Sequence, residues 1–147
     1  MNNIIDSYID TIGNFKPSEK EKKIIYNVIN KLNKNIKVCR DIVFICTHNS
    51  RRSIFCEVWA NLLAHKYLKD INFYSAGIER TSVHEEVIKS FSRLGIKTKE
   101  NTIQIEETSI ILKSKILKEL KLDSFISIFT CGEAEESCPI DRRSLIN

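Results

Sequence analysis

A short apolar run that ends in a cysteine, with a polar loop and a helical segment after it, constrains this fold most. Residues 42–45 read Ile-Val-Phe-Ile, and Cys46 follows them directly. An uninterrupted apolar run of this length is typical of a strand that is buried on both faces of a parallel sheet. From Ile54 to about Leu68, apolar residues then recur at helical spacing. The chain therefore contains a strand–loop–helix unit and is predicted to have an α/β fold.

The chain continues to alternate between strand and helix patterns after this unit. We predict strands over 71–74 and 125–130 and, between them, a helix over 83–94 that ends at Gly95. The stretch that follows this helix is ambiguous. Its segments 102–106 and 110–112 are compatible with strands, and 113–122 is compatible with a helical turn. Alternation of this kind predicts a mainly parallel sheet with helices on both faces.

Two amphipathic helices are predicted before the strand–loop–helix unit. The first ends at Gly13, and the second begins where Ser18 and Glu21 have the spacing of a capping box. We therefore divide the chain into an N-terminal helical extension, 1–40, and one domain, 41–147, and we expect the extension to serve in packing or dimerisation.

Composition and charge narrow the possible functions. The net charge of +4, from 23 basic and 19 acidic residues, is too small and too evenly spread to indicate a nucleic-acid partner. No apolar run approaches the ~18 residues of a membrane span, and the first residues lack the pattern of a secretory signal. We therefore expect a cytoplasmic protein with neither a membrane nor a nucleic-acid partner.

The five cysteines indicate nucleophilic or redox chemistry. Their odd number argues against a framework of disulfides, and their spacing has no close pair of the kind that zinc sites use. They are Cys39, Cys46, Cys56, Cys131 and Cys138. Cys46 and Cys131 each follow a predicted strand, so both are expected at the carboxyl edge of the sheet, where ligands bind. No chemical role is expected for Cys39 and Cys56.

The loop after Cys46 has the residues of an oxyanion site. Backbone N–H groups of a short loop and a helix N-terminus both favour an anion. Arg52 can add a planar, bidentate fork for a tetrahedral oxyanion, and Cys46 can act as a nucleophile beneath it. Asn49 can adopt the positive φ that a tight loop requires, and Ser53 can donate a hydrogen bond to the Cys46 thiolate. The alternative is a buried, inert cysteine at the end of a strand.

Three segments resemble a known family. Residues 46–53, Cys-Thr-His-Asn-Ser-Arg-Arg-Ser, resemble the phosphate loop of low-molecular-weight protein tyrosine phosphatases, and more closely that of the related thioredoxin-coupled arsenate reductases. Residues 74–79 match the second-strand signature of the family, and 130–139 is similar to the redox segment of the reductases. The resemblance covers about 41–140 and implies a three-layer sandwich around a central, mainly parallel, four-stranded sheet.

The resemblance to the reductases implies a relay of three cysteines. Cys46 attacks arsenate, Cys131 attacks the Cys46 sulfur and releases arsenite, and Cys138, on a mobile looped segment, takes over the disulfide for reduction by thioredoxin. Arg52 and Ser53 assist the nucleophile. An oxyanion or phosphoester substrate is expected to contact the loop residues Thr47, His48, Asn49, Ser50, Arg51 and Arg52.

The resemblance also implies that no cofactor is required and that a potassium ion can bind. A glutamate, the loop asparagine and the second-strand serine hold this ion in the reductases, and Glu57, Asn49 and Ser75 stand at the matching positions. The alternative for Glu57 is an ordinary carboxylate on the surface of a helix.

The end of the chain departs from the family pattern. Family members carry an Asp-Pro after the redox segment, whose aspartate is the general acid, whereas this chain has no Asp-Pro and ends at Asn147. Asp141 is the nearest substitute, and we do not expect it to reach the loop. The family's final helix is also missing, so we expect a truncated C-terminus, an uncovered sheet face and a tendency to form a homodimer.

Three functions therefore remain open. The Cys131–Cys138 pair favours an arsenate reductase over a phosphatase that acts on phosphotyrosine or small aryl phosphates. The missing Asp-Pro favours a third possibility, a weakly active or inactive oxyanion-binding protein.

Overall fold

The structure is a computed structural model that describes residues 3–68, 70–105 and 108–145. Its helices are α1 (Asn3–Gly13), α2 (Glu19–Asn35), α3 (Arg52–Tyr67), α4 (Glu85–Arg93) and α5 (Gly132–Ser137). Its strands are β1 (Asp41–Cys46), β2 (Asn72–Gly77), β3 (Thr98–Lys99), β4 (Thr102–Ile105), β5 (Thr108–Ile111) and β6 (Ile126–Phe129). A 3₁₀ turn (Leu117–Glu119) precedes β6. None of the described helices has the length and apolar character needed to cross a membrane.

The predicted parallel sheet is present, and β1 lies at its centre. β1 pairs in parallel with β2 and β6, and Val43 lies opposite Tyr74 and Ser127. Val43 and Ile45 are fully buried on one face of β1, and Ile42 is buried on the other. Burial on both faces explains the continuous apolar run, because neither face of a central parallel strand contacts water. β1 therefore brings its last residue to the middle of the carboxyl edge of the sheet.

This sheet has three strands in the described part of the chain, instead of the four that the resemblance implies. A single parallel bridge extends it at each edge, Gly77 to Ile116 and Phe125 to Ser144. At the first of these edges, the Lys115 N–H donates to the Asn49 side chain and not to β2. That hydrogen bond ends the ladder after one position, so the segment does not become a fourth strand.

The ambiguous stretch folds as a separate antiparallel sheet in the order β3-β4-β5. The segments predicted over 102–106 and 110–112 correspond to β4 and β5, and Glu106 lies outside the described residues. Ile103 on β4 is fully buried in the cluster that α3 and α4 form. These strands thus bury their apolar residues against helices, which is why they do not join the parallel sheet.

The helices α3 and α4 pack together through aromatic and aliphatic side chains. The Phe91 ring of α4 lies 5.4 Å from that of Phe55 and 5.7 Å from that of Trp59, both on α3. The apolar residues of this cluster with less than 2% of their surface exposed are Ile54, Val58, Leu62, Val87, Phe91 and Ile103. The predicted helix over 83–94 is therefore confirmed in its core, with His84 as its N-cap.

The second helix of the N-terminal extension packs against the parallel sheet. The predicted capping box of Ser18 and Glu21 is present at the start of α2. Near the other end, Leu32 and Ile36 pack in a cluster with Ile42 of β1. Part of α2 therefore covers one face of the parallel sheet.

The first helix of the extension packs against α3. The Tyr8 ring stacks on that of Trp59 at 5.2 Å between centroids, and Lys66 Nζ lies 2.6 Å from Asp6 Oδ1. Both helices of the extension thus contact the remainder of the chain. The domain boundary at residue 40 and the homodimer stay predictions.

We expect Tyr8→Ala to lower the free energy of unfolding by about 1 kcal/mol, because it removes a ring stacked on Trp59. Urea denaturation followed by circular dichroism measures the change. Tyr26→Ala is the matched control, since Tyr26 is 65% exposed on α2 and its loss should cost less than about 0.5 kcal/mol. Equal values for the two variants would contradict the packing of α1 on α3.

Candidate active site

The loop between β1 and α3 encloses the Cys46 sulfur. Cys46 is buried at the end of β1, and Arg52 is the first residue of α3. Asn49 has a φ of 45°, the left-handed conformation predicted for this loop. Arg51, at the N-cap of α3, makes no capping hydrogen bond with its side chain. The start of the helix therefore faces the loop without a side-chain cap.

The carbonyl groups of the loop point outward and are bound from outside. Three of them accept hydrogen bonds of 2.7–3.0 Å from the segment that follows β2. The bonds run from the N–H groups of Ile78 and Glu79 to the Thr47 carbonyl, from Thr81 Oγ1 to the His48 carbonyl, and from the His84 N–H to the Ser50 carbonyl. Since C=O and N–H of a peptide point in opposite directions, N–H groups of the loop face the space above Cys46, as in an anion-binding nest.

Two hydrogen-bond partners reach the Cys46 sulfur inside the loop. The Asn49 N–H donates to Sγ at 3.1 Å, and Ser53 Oγ lies 2.9 Å from it. Cys46, Asn49 and Ser53 are all buried, so water does not weaken these bonds. These two contacts hold the Cys46 sulfur in a fixed position at the base of the loop.

The Asn49 side chain connects the loop to β2 and to the segment after β5. Its amide nitrogen donates to Ser53 Oγ and Ser75 Oγ, both at 2.9 Å. Its Oδ1 accepts from the Lys115 N–H at 2.7 Å. These three bonds hold the residue with positive φ in place.

Glu57, Asn49 and Ser75 meet behind the loop, where the resemblance expects potassium. Lys115 joins them, with Nζ 2.8 and 2.9 Å from the two carboxylate oxygens of Glu57, and the Ser75 hydroxyl donates to Glu57. The amide nitrogen of Asn49, and not its oxygen, faces Ser75, whereas a hard cation binds oxygen ligands. As they are arranged, these residues do not fit a potassium ion.

β2 approaches the loop so closely that its last residue must be glycine. A Cβ at Gly77 would lie 2.8 Å from the Asn49 nitrogen and 2.9 Å from the His48 carbonyl carbon. Both distances are shorter than van der Waals contact, so a side chain would displace the loop. The glycine of the predicted second-strand signature is thus required by packing.

A pocket of about 230 Å³ opens above Cys46. It is lined by Cys46, His48, Ser50, Arg51, Arg52, Thr81, Ser82 and His84. Arg51 and Arg52 are exposed at its mouth, and their positive charge suits an anionic ligand. No group of three histidine, cysteine, aspartate or glutamate side chains in the described ranges could hold a metal ion.

Cys131 lies beside the same loop. It is the N-cap of α5, and its Sγ is 3.6 Å from Thr47 Oγ1. Burial acts to raise the pKa of Cys131, but hydrogen bonds from Thr47 and Ala134 and the charge of Arg52 outweigh it, so the pKa lies below its ordinary value. The two cysteines at strand ends therefore share one edge of the sheet, as predicted.

The acidic segment after Cys131 is helical, and the prediction that it forms a loop is wrong for this structure. α5 has six residues, with Cys138 as its C-cap. Ala134 is fully buried in the cluster that contains Val43 and Ile45, so the segment packs against the sheet. Burial, together with the nearby charge of Asp141, raises the pKa of Cys138.

Asp141 is held away from the Cys46 pocket. Its carboxylate pairs with Arg143 at 2.7 Å, and these hydrogen bonds lower the pKa of Asp141. It lines a different pocket of about 210 Å³ beside Cys138. A carboxylate kept ionised in this way is a poor proton donor, which agrees with our expectation that Asp141 does not serve the loop.

A family profile covers the part of the chain that holds the Cys46 loop. The profile of the low molecular weight phosphotyrosine protein phosphatase family matches residues 41–114. The chain belongs to this family. The match runs from β1 to just beyond β5, so it includes the Cys46 loop, α3 and β2. Lys115 and Cys131 lie after its last residue.

Similar proteins of this phosphatase family include arsenate reductases. The chain is 33% identical to one from Staphylococcus aureus over 100 residues, 68% of this chain and 66% of the relative. It is 33% identical to one from Bacillus licheniformis over 102 residues, 69% of this chain and 63% of the relative. The matches thus span just under two thirds of the length of these relatives. A solved Corynebacterium glutamicum thioredoxin-dependent arsenate reductase aligns with a TM-score of 0.45 and 19% identity, over 97% of this chain and 69% of that one.

Part of the support of the loop in this family member was not predicted from the sequence. Lys115, and the hydroxyls of Thr81 and Ser114 that donate to the His48 carbonyl, were not predicted. Lys115 lies in the ambiguous stretch, where it is one lysine among several. Only its contact with Glu57 distinguishes it, and no spacing along the chain indicates that contact.

We expect Gly77→Ala to weaken the binding of inorganic phosphate at least about tenfold, because the new Cβ displaces Asn49 and with it the loop. Isothermal titration calorimetry measures the affinity. Gly132→Ala is the matched control, since a Cβ there meets nothing within 4 Å. Unchanged phosphate affinity in Gly77→Ala would contradict the close approach of β2 to the loop.

Cys131 should form a thiolate at lower pH than an ordinary thiol, because its pKa is lowered in part by the Thr47 hydroxyl. Removing the hydroxyl in Thr47→Val raises this pKa, so less thiolate is present at pH 7 and iodoacetamide alkylates Cys131 about fivefold more slowly. Peptide mass spectrometry resolves Cys131 from the other cysteines. Thr47→Ser keeps the hydroxyl and should keep the rate. An equal decrease in both variants would contradict this assignment.

Proposed function

We propose that this chain is an arsenate reductase in which Cys46 is the nucleophile and Cys131 and Cys138 take up the oxidation. The observation that supports this most is the position of Cys131, whose sulfur lies 3.6 Å from Thr47 Oγ1 and whose pKa is lowered. A second thiol with thiolate character beside the first is needed for a relay of oxidation, and hydrolysis of a phosphoester does not need it. Similar proteins named arsenate reductase point to the substrate.

Arsenate binds above Cys46 with its oxygens directed at the N–H groups of the loop. The exposed Arg52 guanidinium pairs with two of the oxygens through its planar fork. The other contacts come from the loop residues His48, Ser50 and Arg51, which line the pocket, whereas the predicted contacts Thr47 and Asn49 are not among its lining residues. Phosphate has the same shape and charge and competes for this site.

The first two steps reduce arsenic and release it. The Cys46 thiolate forms a bond to arsenic, and one arsenate oxygen leaves as water with protons from solvent. The Cys131 thiolate then attacks the Cys46 sulfur, and the sulfur–arsenic bond breaks. The electron pair of that bond stays on arsenic, which changes from As(V) to As(III) and leaves as arsenite. A Cys46–Cys131 disulfide remains.

The next steps restore Cys46 and carry the disulfide away from the loop. The Cys138 thiolate attacks the Cys131 sulfur, and Cys46 leaves as a thiolate that the donors at Asn49 and Ser53 stabilise. Thioredoxin, as an external dithiol, then reduces the Cys131–Cys138 disulfide and becomes a disulfide itself. All five cysteines are free thiols in the structure.

The helix α5 has to unwind for the last disulfide to form. Cys131 and Cys138 flank a helix of six residues, whose rise per residue separates their Cα atoms by about 10 Å. A disulfide joins Cα atoms only about 4.4–6.8 Å apart. Glu133, Glu135 and Glu136 are exposed and Ala134 is buried, and so short a helix has little stability of its own. Oxidation therefore converts the helix into the loop that the resemblance implies.

We expect the wild type to release arsenite continuously with thioredoxin, thioredoxin reductase and NADPH. Cys46→Ser and Cys131→Ser should release none, and Cys138→Ser should release about one arsenite per chain, because it stops at the Cys46–Cys131 disulfide. Cys56→Ser is the matched control and should keep the activity, since burial and the neighbouring Cys46 raise the pKa of Cys56.

Arsenite release that persists in Cys131→Ser would contradict the relay. Hydrolysis of p-nitrophenyl phosphate that does not change in Cys131→Ser, together with no arsenite from the wild type, would identify a phosphatase instead. Inactivity in both assays, with phosphate still bound, would identify an oxyanion-binding protein.

A further inference from the structure

The ion pair between Lys115 and Glu57 stands out from the other charged pairs. Among the ion pairs of the described residues it has the least exposed side chains, with 23% of the Lys115 side chain and 9% of the Glu57 side chain accessible. Most of the other pairs are at the surface, where they contribute little, and only Asp141 and Arg143 come close, with 17% and 27% of their side chains accessible. A pair that is kept behind the oxyanion loop and away from water costs desolvation, so its position calls for an explanation.

The main chain of Lys115 is fixed on both sides. Its N–H donates to Asn49 Oδ1 at 2.7 Å, and its carbonyl accepts from the Gly77 N–H at 2.8 Å. Both partners belong to structures that shape the loop, since Gly77 lies against Asn49. The lysine side chain therefore starts from a defined point behind the loop and brings its ammonium to the carboxylate of Glu57.

We propose that the Lys115 ammonium takes the place of a monovalent cation behind the oxyanion loop and acts as a positioning residue for Cys46. An ammonium is a compact positive charge with three donors, and two of its contacts are the two oxygens of Glu57. Because this charge is part of the chain, it is present at any concentration of potassium. The loop is then independent of the ion that the resemblance implies.

Lys115 also sets the direction of the hydrogen bonds between Glu57 and the loop. A carboxylate that is paired with an ammonium is ionised and only accepts hydrogen bonds. The Ser75 hydroxyl must then donate to Glu57. The Ser75 oxygen is then left to accept a hydrogen bond from the Asn49 amide nitrogen, at 2.9 Å. The main-chain N–H of Lys115 holds the amide in the same orientation, since it donates to Oδ1.

The hydrogen bonds that reach the nucleophile run in the same direction, from Asn49 to Ser53 and from Ser53 to Cys46. The second hydrogen of the Asn49 amide goes to Ser53 Oγ, at 2.9 Å. Since Ser53 accepts there, its own hydrogen is left for the Cys46 sulfur, 2.9 Å away. The Lys115 ammonium at one end of this series of hydrogen bonds thus makes the Ser53 hydroxyl a donor to the Cys46 sulfur at the other end. Without the ammonium, the Glu57 carboxylate loses the two contacts that hold it where it accepts from Ser75, and the order of the hydrogen bonds is weakened.

The first test uses the unaltered chain and needs no substrate. We expect its thermal unfolding midpoint to change by less than about 1 °C when 100 mM choline chloride is replaced by 100 mM potassium chloride, at constant pH and ionic strength. A potassium ion that bound behind the loop would raise the midpoint by several degrees. Such an increase, absent with sodium chloride, would overturn the proposal.

The second test removes the ammonium and keeps the main-chain N–H, in Lys115→Met. We expect its unfolding midpoint in choline chloride to fall by about 5–10 °C and its affinity for inorganic phosphate to fall about tenfold. Potassium should recover part of both losses, because the carboxylate of Glu57 is then available to a cation. Lys89→Met is the matched control, since Lys89 pairs with Glu85 and Glu86 at the surface, and it should change neither quantity.

If Lys115→Met does not fold, Lys115→Met/Glu57→Gln replaces it, because that pair carries no unpaired charge. We expect the double variant to fold and to bind phosphate as weakly as expected for Lys115→Met. Its unfolding midpoint should not change when potassium replaces choline. Wild-type phosphate affinity in either variant would overturn the proposal. These readouts are unfolding and phosphate binding, so the proposal can fail or hold independently of the arsenate reductase assay.

Discussion

The hydrogen bonds of the Asn49 side chain hold the site together. Through its two ends the amide joins the nucleophile loop, the end of β2 and the segment that carries Lys115. Asn49 also has the positive φ on which the shape of the loop depends. Because one buried side chain fixes both the backbone turn and the partners of the Cys46 sulfur, the anion site and the nucleophile are built as a unit.

The fold gives the two ends of the proposed relay different stabilities. Cys46 is buried at the centre of the sheet edge, in a loop whose carbonyl groups are held by hydrogen bonds from the segment after β2. Cys131 and Cys138 flank a helix of six residues that only Ala134 anchors in the core. A rigid loop suits the recognition of a tetrahedral anion, and a marginal helix suits a step in which two cysteines must approach each other. The same chain thus separates binding from the conformational change.

Local chemistry explains what could be predicted from the sequence. The continuous apolar run predicted β1, the Ser18–Glu21 spacing predicted the cap of α2, and the tight loop predicted the positive φ of Asn49, since each depends on neighbouring residues. The pair of Lys115 and Glu57 joins residues 58 positions apart, and the helical form of α5 depends on where Ala134 packs. Contacts of this kind follow from tertiary structure, which periodicity does not report.

The site depends on a buried Cys46 sulfur that lies at the base of an anion-binding loop, with Asn49 and Ser53 as its hydrogen-bond partners. The most direct measurement is the rate of alkylation of Cys46 by iodoacetamide at neutral pH, followed by peptide mass spectrometry, with and without saturating phosphate. We expect Cys46 to react faster than Cys56 and Cys138, and phosphate to protect Cys46 and leave the other two rates unchanged. A slow Cys46 whose rate does not respond to phosphate would contradict the account.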